Sequence, residues 1–220
     1  MPTLPRPFIE AYVETVAEAD AAMAAGADRL ELCGPGDGGL TPALDTLAEV
    51  AQARRFPVHA MLRPRAGDFV YDGAEFAQMC RDIPQLRARG ASGVVFGVLR
   101  EDRRLDVERM RELVALAQGL RVVCHRAFDL TPDPAESLRT LMSLDVHEVL
   151  TSGHAPSALD GADTLRRLQD QAGSRIAILA GGGIRPHNVR ALVARSGVHR
   201  VHARATDATV IRGIRDAFSD

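Results

Sequence analysis

Eight short apolar runs punctuate the chain, beginning near Phe8, Arg29, Pro57, Gly93, Arg121, Glu148, Arg175 and Arg200. Successive starts are 21, 28, 36, 28, 27, 27 and 25 residues apart. Each interval holds one strand, one helix of about three turns and two loops, the size of a βα unit. Between the runs, apolar residues recur at helical spacing. Thr41-Pro42 places a cap residue before a first-turn proline, with Leu44, Leu47 and Ala48 on one face. Asp133-Pro134-Ala135-Glu136 has the form of a capping box ahead of Leu138, Leu141 and Met142. Val107, Met110, Val114 and Ala117 form another stripe, and Pro186 opens a helix carrying Val189, Leu192 and Val193. Strands alternating with amphipathic helices predict a parallel sheet. Eight such units predict a single α/β domain, residues 1–220, folded as a closed (βα)8 barrel over about residues 8–218.

Strand side chains alternate between the barrel interior and the helix-facing side. A charge facing the helix layer would be buried without water, so charged positions are assigned to the interior near its mouth. This places Glu10, Glu31, His59, Arg63, His125 and His202 inside, with Cys33 beside them, and turns Cys124 toward the helices. Barrels ordinarily fill this space with branched aliphatics. For any one of these groups, a network in which each carboxylate is neutralised by Arg or His is an adequate account. Convergence of the whole set from five strands points to a site at the carboxyl ends of the strands. Two long Gly-rich or polar loops, Gly34–Gly39 and Pro64–Gly73, rise on that side.

Composition narrows the chemistry. All 27 basic residues are arginine, so Schiff-base mechanisms that need a lysine are excluded. A net charge of −2 offers no basic field for nucleic acid, and no apolar stretch is long enough to span a bilayer. The segment Met1–Pro7 lacks the apolar core of a secretory signal, so a cytoplasmic location is expected. Cys33, Cys80 and Cys124 form no CxxC pair, which argues against a disulfide framework or a structural zinc site. Cys80 shares a helix face with Phe76, Met79 and Ile83 and is expected in the core.

Ala180-Gly181-Gly182-Gly183-Ile184 follows the seventh run, at the position where barrels commonly bind phosphate, and Arg204 follows the eighth. With Arg63, Arg65 and Arg126 near the mouth, a small anionic ligand is the expected partner. Glu10 and Glu31 lie on adjacent strands, so one carboxyl should have a raised pKa and act as acid or base. His125 and His202 are expected to move protons, Asp129 to assist them, and Asp68, Thr151 and Ser152 to bind ligand. Glu10, Glu31, Asp68 and Asp129 alternatively offer oxygen ligands to a hard divalent ion.

Several motifs carry a family likeness. Gly26-Ala-Asp-Arg-Leu-Glu-Leu-Cys33, Gly39-Leu-Thr-Pro42, Arg63-Pro-Arg-Ala-Gly-Asp-Phe69, His125-Arg-Ala-Phe-Asp129, Leu150-Thr-Ser-Gly153 and Ala180-Gly-Gly-Gly-Ile184 resemble the CutC copper homeostasis family in order and spacing. The resemblance implies a TIM-like barrel, a cytoplasmic homodimer and a role in copper handling. Family members often carry cysteine just after the first-strand glutamate, where this chain has Ala11-Tyr12-Val13. Cys33 remains as the family's second-strand cysteine. Cys33 and His59, with Met61 and His125, are the candidate ligands for copper(I) by donor type.

Overall fold

In the computed structural model, which describes residues 4–36, 38–52, 56–205 and 207–219, eight parallel strands close into one barrel in sequence order. The strands are β1 (Phe8–Val13), β2 (Arg29–Leu32), β3 (Val58–Met61), β4 (Gly93–Phe96), β5 (Arg121–Cys124), β6 (Glu148–Thr151), β7 (Ala177–Gly181) and β8 (Arg200–Arg204). Six begin at the expected residue; β3 starts one residue later and β7 two. Helices α1 (Val16–Ala24), α2 (Leu44–Gln52), α3 (Gly73–Ala88), α4 (Val107–Leu116), α5 (Pro134–Ser143), α6 (Ala162–Ala172), α7 (Val189–Ser196) and α8 (Ala208–Asp216) form the outer layer. Asp37, within the first long loop, lies outside the described residues.

Local chemistry starts most of these helices. Thr15 and Asp72 form full capping boxes with Glu18 and Glu75, and Asp106, Asp133 and Asp207 accept first-turn amides. Two expected caps act differently. The Thr41 hydroxyl accepts from the Arg63 amide at 2.9 Å and donates to the Arg63 carbonyl at 3.1 Å, so it staples the loop after β2 to the end of β3. Pro186 precedes α7 by three residues; there, the Asn188 side chain accepts from Arg185 N–H and donates to the Gly183 carbonyl.

Two apolar clusters follow from strand parity. The larger joins outward residues such as Leu30, Leu32, Val58, Ala60, Val122 and Cys124 to the helices. The smaller lies inside the barrel and comprises Tyr12, Cys33, Met61, Val95, Val123, Leu150 and Leu179. Cys80 is only half-buried on α3, with Sγ 3.7 Å from Glu112 Oε1, because its face of the helix borders α4 rather than the core centre. Among the described residues, no helix is long and apolar enough to cross a membrane.

Candidate functional site

Below the inner apolar cluster, the barrel interior is ionic. Glu10 of β1 pairs in register with Arg29 of β2 and His202 of β8, which sets the three side chains side by side. Arg29 Nε lies 2.5 Å from Glu10 Oε2, and its Nη2 lies 2.5 Å from Glu148 Oε2. Arg200 approaches the other Glu148 oxygen at 3.4 Å. Burial opposes ionisation of Glu10, but Arg29 and then His202 hold its carboxyl well below the usual carboxylate range. Arg29 and Glu148 complete this floor yet were absent from the interior drawn from sequence. Parity was the available signal, since Arg29 lies two residues before Glu31 and Glu148 two before Leu150.

His202 connects the floor to the cavity above. Its Nδ1 is 2.9 Å from Glu10 Oε1 and its Nε2 is 3.8 Å from Glu31 Oε2. Burial pushes the imidazole down, but Glu31 and Glu10 together raise it above its ordinary value. Glu31 has no guanidinium partner comparable to Glu10's. Burial, reinforced by the Glu10 charge, pushes Glu31 up to about 7 despite His202, and its Oε1 is buried without a hydrogen-bond partner. The two carboxylates are thus driven apart, as their adjacency predicts.

Above Glu31 and His202 opens a cavity of about 510 Å³ at the carboxyl ends of the strands. Arg63, Phe69 and His125 form one wall; Arg126, Gly182, Gly183, Arg185 and Arg204 line the rest of the mouth. The Arg63 guanidinium sits 4.8 Å from the Phe69 ring centre and donates to the Gly67 carbonyl. His125 packs on Phe69 at 4.6 Å, and its Nδ1 accepts the Ala127 amide at 3.2 Å. Burial and then Arg63 lower the His125 pKa to about 3. The expectation that His125 transfers protons near neutrality is therefore corrected: a ring this desolvated beside a guanidinium stays neutral. Phe69 and Arg185 are wall residues that sequence reasoning missed. Phe69 closes the motif that begins at Arg63 but has no titratable group to mark it as a site residue.

Other expected ligand contacts prove to be braces. The Asp129 carboxylate accepts from Thr151 Oγ1, from the Ser152 amide and hydroxyl, from the His154 amide and from Arg126 Nε. Thr151 and Ser152 are completely buried and do not line the cavity. This cluster ties the turn after β5 to the loop after β6 and aims Arg126 at the mouth; its donors are consumed internally. Arg65 is bound to Glu75, Asp68 and the Val70 carbonyl, and the exposed Asp68 is bound to Arg65, so both brace the loop after β3. Gly181 ends β7 where a Cβ would fall 2.5 Å from Leu150 Cδ1. Its role is packing, whereas Gly182 and Gly183, with φ of 107° and 72°, turn bare backbone toward the opening. Arg204 reaches the mouth with its charge shared by Glu14 at 2.8 Å.

Among the described residues, Glu10, Glu31 and His202 bring ligand-type atoms within 4.8 Å of one another. Neither Cys33 nor His59 belongs to that group. Cys33 is wholly buried under Gly39, and burial, then Glu31, pushes its thiol well above the ordinary range, so the thiolate a copper(I) ion needs is disfavoured. His59 is enclosed against Gly93 with its pKa lowered to about 3 by burial and Arg29. Two carboxylates, one of them paired with Arg29, are hard oxygen donors and do not fit a soft cation.

Comparison with known proteins agrees with the motifs. The family model described as the CutC family matches residues 8–207. A CutC family protein from Xanthomonas axonopodis pv. citri is 46% identical over 198 residues, covering 90% of this chain and 82% of that protein. One from Caulobacter vibrioides is also 46% identical, covering 90% and 80%. The crystal structure of CutC from Streptococcus agalactiae superposes with a TM-score of 0.84 at 28% identity, covering 89% of this chain and 97% of that one. N-(5'-phosphoribosyl)anthranilate isomerase from Pyrococcus furiosus, at 15% identity and a TM-score of 0.61, shares the fold alone. Barrel, motif order and matched length together establish that the chain belongs to the CutC family.

Proposed function

We propose that this protein is an acid/base enzyme acting on a small anionic metabolite, and that the copper handling for which its Streptococcus agalactiae relative is named touches this chain only indirectly. One observation carries the reading. Glu31, with an unpartnered carboxylate oxygen and a pKa near neutrality, faces a cavity ringed by Arg63, Arg126, Arg185 and Arg204. A carboxyl poised near 7 is matched to taking and returning a proton at physiological pH. The guanidinium groups supply the complementary charge for phosphate or carboxylate, and Gly182–Gly183 leaves backbone free to approach it. His202, oriented by Glu10, stands beside Glu31 to tune or relay its proton.

Thermal unfolding in the presence of inorganic phosphate and a panel of phosphorylated and carboxylated metabolites tests this. A ligand at about 100 times its Kd adds roughly 2.7 kcal/mol of stability, which appears as a rise in Tm. No rise from any anion, or a rise retained after Arg126→Ala together with Arg204→Ala, overturns the reading. The direct copper reading makes a separate prediction. Anaerobic cuprous titration against a chromogenic chelator would give tight binding that Cys33→Ala abolishes. On the present reading the two titrations coincide.

A further inference from the structure

His125 has its tautomer fixed by the backbone. Because Nδ1 accepts from the Ala127 amide, the ring proton resides on Nε2. Nε2 is buried without a partner although the ring forms part of the cavity wall. An unmatched buried donor is costly, and an acceptor oxygen seated against this wall would satisfy it. Burial and Arg63 keep the ring uncharged. A neutral imidazole N–H suits an oxygen that becomes anionic during reaction, because it stabilises the charge without protonating it irreversibly. The missing lysines are consistent with this: no lysine amine is available to form an iminium, and hydrogen bonding from a neutral N–H is a route to carbonyl activation that needs none.

We propose that His125 is the oxyanion donor of this site and that the substrate is an α-hydroxy aldehyde or ketone carrying a phosphate or carboxylate, enolised by Glu31. This inference rests on the acid/base reading of the same cavity. In the step, the Glu31 carboxylate takes the proton from the carbon beside the carbonyl. The C–H electron pair becomes the C=C bond, and the carbonyl π pair moves to oxygen, which accepts from His125 Nε2–H. Glu31 then returns the proton to the adjacent carbon as the hydroxyl oxygen of the enediol loses its own proton to the former carbonyl oxygen. The result is an isomer, with no change of oxidation state overall and no co-reactant. Arg63, whose guanidinium packs on Phe69 beside His125, holds the ligand's anionic end or the ring's electrostatic surroundings without entering the proton transfer.

Two measurements test it. In ¹⁵N-labelled protein the His125 ring should show the Nε2–H tautomer without titrating between about pH 5 and 9. An Nδ1–H tautomer, or a midpoint near the ordinary histidine value of about 6.5, overturns the proposal and requires no variant to fold. In deuterated water, proton NMR should show deuterium entering beside the carbonyl of three- to five-carbon phosphorylated hydroxy aldehydes or ketones. His125→Gln should slow this exchange about 10²–10³-fold while phosphate still raises its Tm. Undiminished exchange in that variant removes His125 from the chemistry. No exchange across the panel, from protein that phosphate stabilises, overturns the substrate class and leaves the anion site standing. Absence of stabilisation by phosphate or any panel member overturns the underlying reading as well.

Discussion

His202 Nδ1 lies 2.9 Å from Glu10 Oε1, a contact between a residue that lines the cavity and one that does not. Glu10 is fully buried and its other oxygen is held by Arg29, so it positions His202 and takes no direct part in ligand chemistry. That separates two carboxylates which the sequence placed together as acid and base: Glu31 lines the cavity, and Glu10 anchors the partner of Glu31.

Glu10→Gln should therefore be chiefly a stability mutation. It leaves Arg29 with Glu148 alone and deprives His202 of its charged partner. Removing one member of a buried ion network costs about 3–5 kcal/mol. Urea denaturation monitored by circular dichroism measures the loss, and wild-type stability in this variant would contradict the network described.

Acid should destabilise the protein through His125 and His59. Both have folded pKa values near 3, below the ordinary histidine value of 6.5. Between those limits the unfolded chain binds more protons, so stability rises with pH there and is lost as pH falls from about 6.5 toward 3. Melting temperatures between pH 7 and 4 should fall steeply in the wild type and less steeply in His125→Gln. Equal slopes would show that the ring protonates freely in the folded state.

Glu31 contributes with the opposite sign. Its folded pKa of about 7 lies above the ordinary 4.5, so the folded state binds the proton more tightly. The stability this provides is present below about 4.5 and lost as pH rises through 7. Glu31→Gln imitates the protonated acid and should gain on the order of 1–3 kcal/mol relative to wild type at pH 8, with little difference at pH 4.5. Activity should vanish in the same variant, and in the wild type kcat/KM should fall on the acid side of an apparent pKa near 7 that belongs to the Glu31–His202 pair.

Asp129→Ala should release the loop after β6. The carboxylate gathers Thr151, Ser152, His154 and Arg126, so the variant leaves several buried donors unmatched, at about 1–3 kcal/mol for each that stays dry. Asp129→Asn keeps part of the geometry and should chiefly weaken phosphate binding, by freeing Arg126. Calorimetric titration with phosphate beside a denaturation curve distinguishes the two losses.

The scaffold was readable because a barrel's periodicities are local. Apolar runs near Phe8, Arg29 and Glu148 mark strand starts to the residue, and parity, with the cost of burying a charge against the helices, puts Glu31, His125 and His202 inside. What escaped reading depends on partners distant in sequence. Asp129 looks like a catalytic carboxylate until Thr151 and Ser152 are found to saturate it from 22 and 23 residues away. Arg65 and Asp68 look like mouth residues until they are found bound to each other. His125 carries a titratable ring, and only its burial against Arg63 reveals that its pKa is lowered to about 3, far from neutrality. Alternation says which way a side chain points; whether its hydrogen-bonding capacity remains available is decided elsewhere in the fold.

The ring of Phe8 lies between the guanidinium groups of Arg29 and Arg200, at 5.1 and 4.5 Å, directly under the Glu10–Arg29–Glu148 network. Glu10, Arg29 and Glu148 are buried, so side chains fill this part of the barrel interior. On the acid/base reading, reactant and product would share the mouth at the carboxyl ends of the strands, and accumulated product would compete for entry.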